Sequence, residues 1–245
     1  MIAASDKLLL ACARFGRTPG ELRALAAVRD VRGIARELDR LLRPGEVALI
    51  AGPSGGGKSS ILRALEDRCE CVSMPIDAPE DPLQRRCSTS AAPALVDLFA
   101  SDLDATLGYL SRAGLADATV LPLSLGELSD GQRFRARLAL AFERAAAPTA
   151  DPPGPGRSRP PTLLIDEFAS TLDRAAARTL AHLVNRCASR AGLRIVCATA
   201  HDDLLDALDP AVLVHQPLLR PASIARSPWQ RASARCASSL SEEFA

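Results

Sequence analysis

The residues with the clearest chemical purpose lie in Gly52-Pro53-Ser54-Gly55-Gly56-Gly57-Lys58-Ser59. An apolar run, Val47-Ala48-Leu49-Ile50-Ala51, precedes them, and a helix-compatible segment, Ser60-Ile61-Leu62-Arg63-Ala64-Leu65, follows. Strand, glycine loop and helix in that order let successive backbone N–H groups wrap a phosphate chain while the first helical turn points its dipole at it. Gly52 and Gly57 permit backbone angles and a close approach that a Cβ would block, and Gly55 and Gly56 keep side chains out of the phosphate space. Lys58 is expected to reach the β- and γ-phosphates as a point charge, and the Ser59 hydroxyl to ligate Mg²⁺.

A second group of residues suits the same chemistry. Thr162-Leu163-Leu164-Ile165 reads as a buried central strand, and it ends in Asp166-Glu167. One carboxylate at such a tip can hold the Mg²⁺ shell while its neighbour polarises an attacking water as general base. Leu128-Ser129-Asp130-Gly131-Gln132 stands before an Arg-bearing helix and places a hydroxyl and free N–H groups at a helix N-terminus, a ready anion site. Ser170-Thr171-Leu172-Asp173 follows the carboxylates, and His201 ends the next apolar strand. Singly these are a helix cap, a turn and a strand-end histidine; their joint order is what carries weight.

The elements that must position these groups alternate between strand and helix, which points to one α/β domain with a mainly parallel sheet and ligands at the C-terminal strand ends. Strands are expected over 47–51, 71–74, 162–165 and 193–200. Helices are expected from Lys58 to about Asp67, over 94–110 up to Gly114, over 133–142 and over 172–189. Residues 1–43 form a lead-in with a helix to about Phe15, a second helical segment from Glu21 and a strand between Ile34 and Leu42. The catalytic domain spans 44–216, with a small helical subdomain over about 94–145. Its proline-rich stretch at about 149–161 cannot be a regular element and reads as a disordered surface loop. The tail, 217–245, is expected to be poorly ordered, with the lone Trp229 as a surface anchor or partner contact.

Composition narrows the classes. Thirty basic against 29 acidic residues leave a formal net charge of +1, so no global field argues for nucleic acid or an anionic membrane. No apolar run approaches the roughly 18 residues that cross a bilayer, so direct membrane insertion is not expected. Leu8-Leu9-Leu10-Ala11-Cys12-Ala13 reads as an amphipathic helix and not a signal peptide. Seven cysteines without an export signal read as reduced cytoplasmic thiols. Cys69-Glu70-Cys71, with Cys87 beyond, matches no common zinc spacing and reads as ordinary half-buried cysteines.

Taken together, these motifs resemble those of the ATP-binding cassette (ABC) ATPases. Gly52–Ser59 is similar to their Walker A loop, Leu128–Gln132 to the signature LSGGQ, Leu163–Glu167 to Walker B, Ser170–Asp173 to the D-loop and His201 to the switch histidine. The likeness runs from about Pro44 to Asp203. The wording LSDGQRFRARLAL, IDEFASTLDR and ATAHDDLL is similar to a soluble subgroup sometimes fused to an acetyltransferase-like domain, although no such domain is seen here.

The resemblance implies a P-loop NTPase fold of ABC type, with the signature on the helical subdomain and ATP and Mg²⁺ as cofactors. It implies nucleotide contacts from Gly52 to Ser59, Ser60, Ser129, Gly131 and Asp173, metal ligands Ser59 and Asp166, and catalytic roles for Lys58, Glu167 and His201. An ATP-dependent head-to-tail homodimer follows, in which Ser129 and Gly131 of one copy contact the γ-phosphate held by the other. Hydrolysis in a soluble cytoplasmic role is the first expectation, with an unidentified protein or nucleic-acid partner; the ATP-binding subunit of a membrane transporter is the alternative. The sequence departs from the family at three points. The adenine-stacking aromatic is missing, since Phe15 is the only aromatic upstream and lies far from the expected place. The Q-loop glutamine has only Gln84 as a candidate, early in its interval. Asp130 replaces the signature's first glycine.

Overall fold

Period-two alternation along the strand Val47–Ala51 sends its side chains into two different cores. Val47, Leu49 and Ala51 join one apolar cluster, and Ala48 and Ile50 join another. The sheet is therefore a middle layer with helices on both faces. The structure, a computed structural model, describes residues 6–14, 16, 18, 20, 30–74, 92–147, 161–218 and 221–227.

In chain order the elements are α1 (Asp6–Arg14), α2 (Val31–Leu41), β1 (Val47–Ala51), α3 (Lys58–Glu66), β2 (Cys71–Met74), α4 (Leu103–Arg112), α5 (Asp130–Ala146), β3 (Thr162–Ile165), α6 (Arg174–Ala191), β4 (Arg194–Thr199), α7 (Leu205–Leu208), β5 (Val212–His215) and β6 (Ser223–Arg226). Short 3₁₀ turns occupy Leu95–Leu98 and Ala118–Val120. Among the described residues the strands form one sheet in the order β2-β3-β4-β1-β5-β6, parallel throughout except for the β5–β6 pair. Helices α2 and α3 cover one face through Ala35, Leu38, Ile61 and Leu65. Helices α5 and α6 cover the other, and Leu95, Leu110 and Leu128 of the segment expected as a helical subdomain share that same cluster.

The register decides which loops meet. Ala51 at the end of β1 pairs with Thr199 at the end of β4, and Ile165 at the end of β3 pairs with Cys197. Three neighbouring strands thus deliver the glycine loop, His201 and the Asp166–Glu167 pair to one edge of the sheet, as expected for parallel α/β folds.

Three expectations are corrected. The strand expected between Ile34 and Leu42 is the helix α2: Val31, Ile34, Ala35, Leu38 and Leu41 recur every three or four residues, and Asp30 Oδ1 caps the start by accepting from the Gly33 N–H at 2.8 Å. Its Asp39 carboxylate pairs at 2.7 Å with Arg194, which is 1% exposed at the head of β4. Breaking such a buried pair costs roughly 3–5 kcal/mol. The continuous helix expected over 94–110 is interrupted at Phe99–Asp102, because Asp102 starts α4 afresh by capping the Ala105 N–H at 2.9 Å. The tail expected to be poorly ordered contributes β6, whose Ile224 packs on the α2–α3 face and whose Arg226 pairs with Glu46. Phe15, the segment from Glu21, Gln84, most of the 149–161 stretch and Trp229 lie outside the described residues.

Candidate functional site

The loop between β1 and α3 is shaped by what lies beneath it. A Cβ at Gly52 would sit 2.0 Å from the Gln216 carbonyl oxygen, so no larger residue fits without moving backbone. Gly57 occupies the N-cap of α3 with φ at +103°, a conformation L-residues avoid, and no side chain caps this helix. Asp30, Ser129, Asp102 and Asp173, by contrast, cap α2, α5, α4 and α6 with their side chains. The first-turn N–H groups of α3 therefore have no side-chain acceptor, and a helix N-terminus left in that state suits an anion.

Lys58 opens α3 and is only 9% exposed. Its Nζ donates to the carbonyl oxygens of Gly52 and Pro53 at 2.7 and 2.9 Å. Burial lowers its pKa from the usual lysine value, and the charges of Asp166 and Glu167 pull it back up. Loop ammonium and strand-tip carboxylates therefore act on each other across the sheet edge. Ser59 and Ser60 follow Lys58 on the exposed side of the first turn.

Beyond β3 the chain makes a strained turn. Glu167 and Ala169 both adopt positive φ, at +46° and +58°, a conformation that costs a non-glycine residue roughly 1–3 kcal/mol. Phe168 between them is fully buried against Phe134 of α5, and its N–H donates to Ala198 O at 2.8 Å. This anchor turns Glu167 out to solvent, while its N–H donates to Asp166 Oδ1 at 2.9 Å. A fixed carboxylate and a free one thus stand side by side.

His201 follows β4 and is held by its neighbours. Its N–H donates to Thr199 Oγ1 at 3.2 Å, and Arg174 Nη2 lies 3.3 Å from its Nδ1. A guanidinium can only donate, so Nδ1 accepts and the neutral ring carries its proton on Nε2. Arg174 is fixed in turn by Asp203 at 3.0 Å.

The expected signature residues Ser129 and Gly131 stand at the start of α5. Ser129 caps α5 in a reciprocal box with Gln132: Ser129 Oγ accepts from the Gln132 N–H at 3.3 Å, and the Ser129 N–H donates to Gln132 Oε1 at 3.0 Å. A Cβ on Gly131 would lie 2.8 Å from Leu172, so that glycine lets α5 pack against the turn before α6. Asp173 caps α6 through the Ala176 N–H at 2.8 Å. Among the described residues no hydrogen bond or ion pair joins Ser129, Gly131 or Asp173 to the loop of Lys58 within one chain.

Two residues escape a reading of the sequence. Gln216, 2% exposed, supports the loop from below: its N–H donates to Ala51 O at 2.8 Å, and its carbonyl oxygen fills the space a Gly52 side chain would need. Only its place one residue beyond an apolar run could have marked it. Arg174 sits directly after Asp173 and reads as a surface charge until the fold brings it to His201.

No protein-family model matches the chain. Among solved structures, the dimeric structure of MJ0796, a bacterial ABC transporter cassette, is similar in fold, with a TM-score of 0.53, 17% identity, and coverage of 76% of this chain and 87% of that one. Relatives are found at higher identity. The hemin import ATP-binding protein HmuV of Rhodopseudomonas palustris is 31% identical, covering 81% of this chain and 80% of that protein. The cytochrome c biogenesis ATP-binding export protein CcmA of Aromatoleum aromaticum is 32% identical, covering 77% of this chain and 91% of that protein. A likeness of that extent, over a sheet edge that gathers glycine loop, buried lysine and paired carboxylates, means that this chain belongs to the ABC ATPases.

Proposed function

We propose that this chain is the ATP-hydrolysing subunit of a membrane transporter, working as an ATP-switched head-to-tail dimer beside a membrane-embedded partner. The observation that carries this reading is the 32% identity extending over 91% of an ATP-binding export protein, with an import ATP-binding protein close behind. No described helix is long and apolar enough to cross a membrane, so in this reading the partner supplies the span. Leu103 and Leu107, one turn apart on α4, are 58% and 39% exposed and offer it an apolar contact.

The site's own residues fit the task. The uncapped N-terminus of α3 and Lys58 hold the β- and γ-phosphates, and the nearby carboxylates favour a counter-cation. Ser59 and Asp166 would hold Mg²⁺, which neutralises phosphate charge when bound. Glu167, exposed beside Asp166, takes the proton of the attacking water. His201 donates from Nε2 toward the γ-phosphate. Ser129 and Gly131 come from the second copy, and Asp173 and Ser60 line the nucleotide.

The wording of the signature and Walker B segments favours a second reading, a soluble role without a membrane component. Expressing the Glu167→Gln form in native membranes with ATP separates the two. Sedimentation with membranes and crosslinking to an integral membrane protein support the transporter reading. Recovery of the ATP-loaded dimer solely from the soluble fraction rejects it.

A further inference from the structure

The connection from α3 to β2 carries Cys69-Glu70-Cys71, two thiols the nucleotide site does not use. A bend after α3 brings the sulfurs to 3.3 Å, closer than two unbonded sulfurs rest without a shared hydrogen. Both are partly exposed, whereas the other described cysteines, Cys12, Cys187 and Cys197, are buried. The Leu65 carbonyl oxygen in the last turn of α3 lies 3.4 Å from Cys69 Sγ and 3.7 Å from Cys71 Sγ, and Thr162 Oγ1 lies 3.9 Å from Cys69 Sγ.

The two sulfurs differ in character. The hydrogen bond from Cys71 draws the Cys69 thiol down to about 7, with Thr162 and Arg194 assisting against burial and Asp39. The same bond, with burial and the charges of Cys69 and Glu66, raises Cys71, which Arg194 only partly offsets. Such an arrangement gives one nucleophilic thiolate and one resolving thiol at contact distance.

We propose that Cys69 and Cys71 form an oxidisable dithiol that hydrogen peroxide closes into an intramolecular disulfide. The Cys69 thiolate attacks one peroxide oxygen and the O–O bond breaks, leaving Cys69 as a sulfenic acid and releasing hydroxide, which takes a proton to become water. The Cys71 sulfur then attacks the Cys69 sulfur; the S–O bond breaks, and the departing hydroxide leaves as water with the Cys71 proton. In sum, two thiols and one peroxide give one disulfide and two waters. The sulfurs must close by roughly 1.3 Å to reach bonding distance, a movement on the scale of side-chain torsions. The bond would close a loop within the connection that follows the helix begun at Lys58 and leads into β2, the strand beside β3.

Peroxide treatment of the full chain, followed by alkylation and peptide mass spectrometry, tests this. Trypsin cuts after Arg68 and Arg85, so the pair is released without Cys87. The 69–85 peptide should lose two hydrogens about tenfold faster than Cys187 or Cys197 is oxidised, and dithiothreitol should restore two alkylatable thiols. Cys69→Ser should abolish the loss and leave Cys71 alkylatable, while Cys71→Ser should leave Cys69 as a sulfenic acid trapped by dimedone. A 69–85 peptide that stays doubly alkylated while the buried cysteines oxidise overturns the proposal. So does a disulfide from either thiol to Cys87, or a Cys71→Ser form without the dimedone adduct. Each readout is independent of nucleotide binding.

Discussion

Two helices begin within the candidate machinery, and they begin in opposite ways. α3 starts at a left-handed glycine with no capping side chain, its first residue a buried lysine that donates to two loop carbonyls. α5 starts with a closed Ser129–Gln132 box and an Asp130–Arg133 pair at 3.1 Å. The box occupies the Ser129 and Gln132 N–H groups of α5, whereas no side chain accepts from the start of α3. In the proposed function this difference would make α3, with its buried lysine, the holder of the phosphates and α5, with its side-chain box, the cover that approaches them from a second copy.

The largest expected effect sharpens this division. Glu167→Gln should lower turnover by about 10²–10⁴-fold while ATP stays bound at α3, so that the dimer in which α5 covers the nucleotide accumulates. Steady-state phosphate release and size-exclusion chromatography with ATP read the two parts; wild-type turnover in this variant would remove Glu167 from its role. Lys58→Ala attacks the open end directly. Nucleotide affinity measured by calorimetry should fall about 10- to 100-fold, the scale of a hydrogen bond to a charged group. The unliganded fold should melt no earlier, because the change removes a buried charge that, among the described residues, has no carboxylate hydrogen-bonded to it. Unchanged affinity would contradict the seat assigned to α3.

Arg174→Leu leaves both helix starts intact and frees the His201 ring. Turnover should fall by roughly tenfold with nucleotide affinity unchanged, the loss typical of removing an orienting partner; equal kcat in the variant would make the 3.3 Å contact incidental. The smallest effect belongs to the capped end. Ser129→Ala should cost about 1 kcal/mol of thermal stability and leave ATP binding to a single chain untouched, yet weaken ATP-dependent dimerisation. Loss of single-chain ATP affinity in that variant would erase the distinction between holder and cover.

Much of this was legible in advance because it is local. Loop, strand and helix are contiguous from Val47 to Leu65, and Asp166-Glu167 follows its own apolar run, so order along the chain already groups the donors that suit a phosphate. α2 is less legible because Gly33 and the short span between Asp30 and the turn at Arg43 leave helix and strand open, and it is the packing of Ile34, Ala35, Leu38 and Leu41 on one face of the sheet that settles the helix. β6 gave no signal at all. Its four residues alternate between exposed and half-buried, and pairing with β5 and the Arg226–Glu46 contact create it.

By itself the amino-acid order determined the chemistry on offer: which side chains suit a phosphate, which could carry a proton and in what succession they appear. Tertiary structure alone decided which of them meet. Strand order set β4 between β1 and β3, bringing His201, Lys58 and Asp166 to one edge from positions far apart in the chain. It also slid Gln216 beneath Gly52 and turned Arg174 onto His201. Spacing cannot encode such neighbours, since they depend on which faces bury together, and burial is a property of the whole packed sheet and not of any segment.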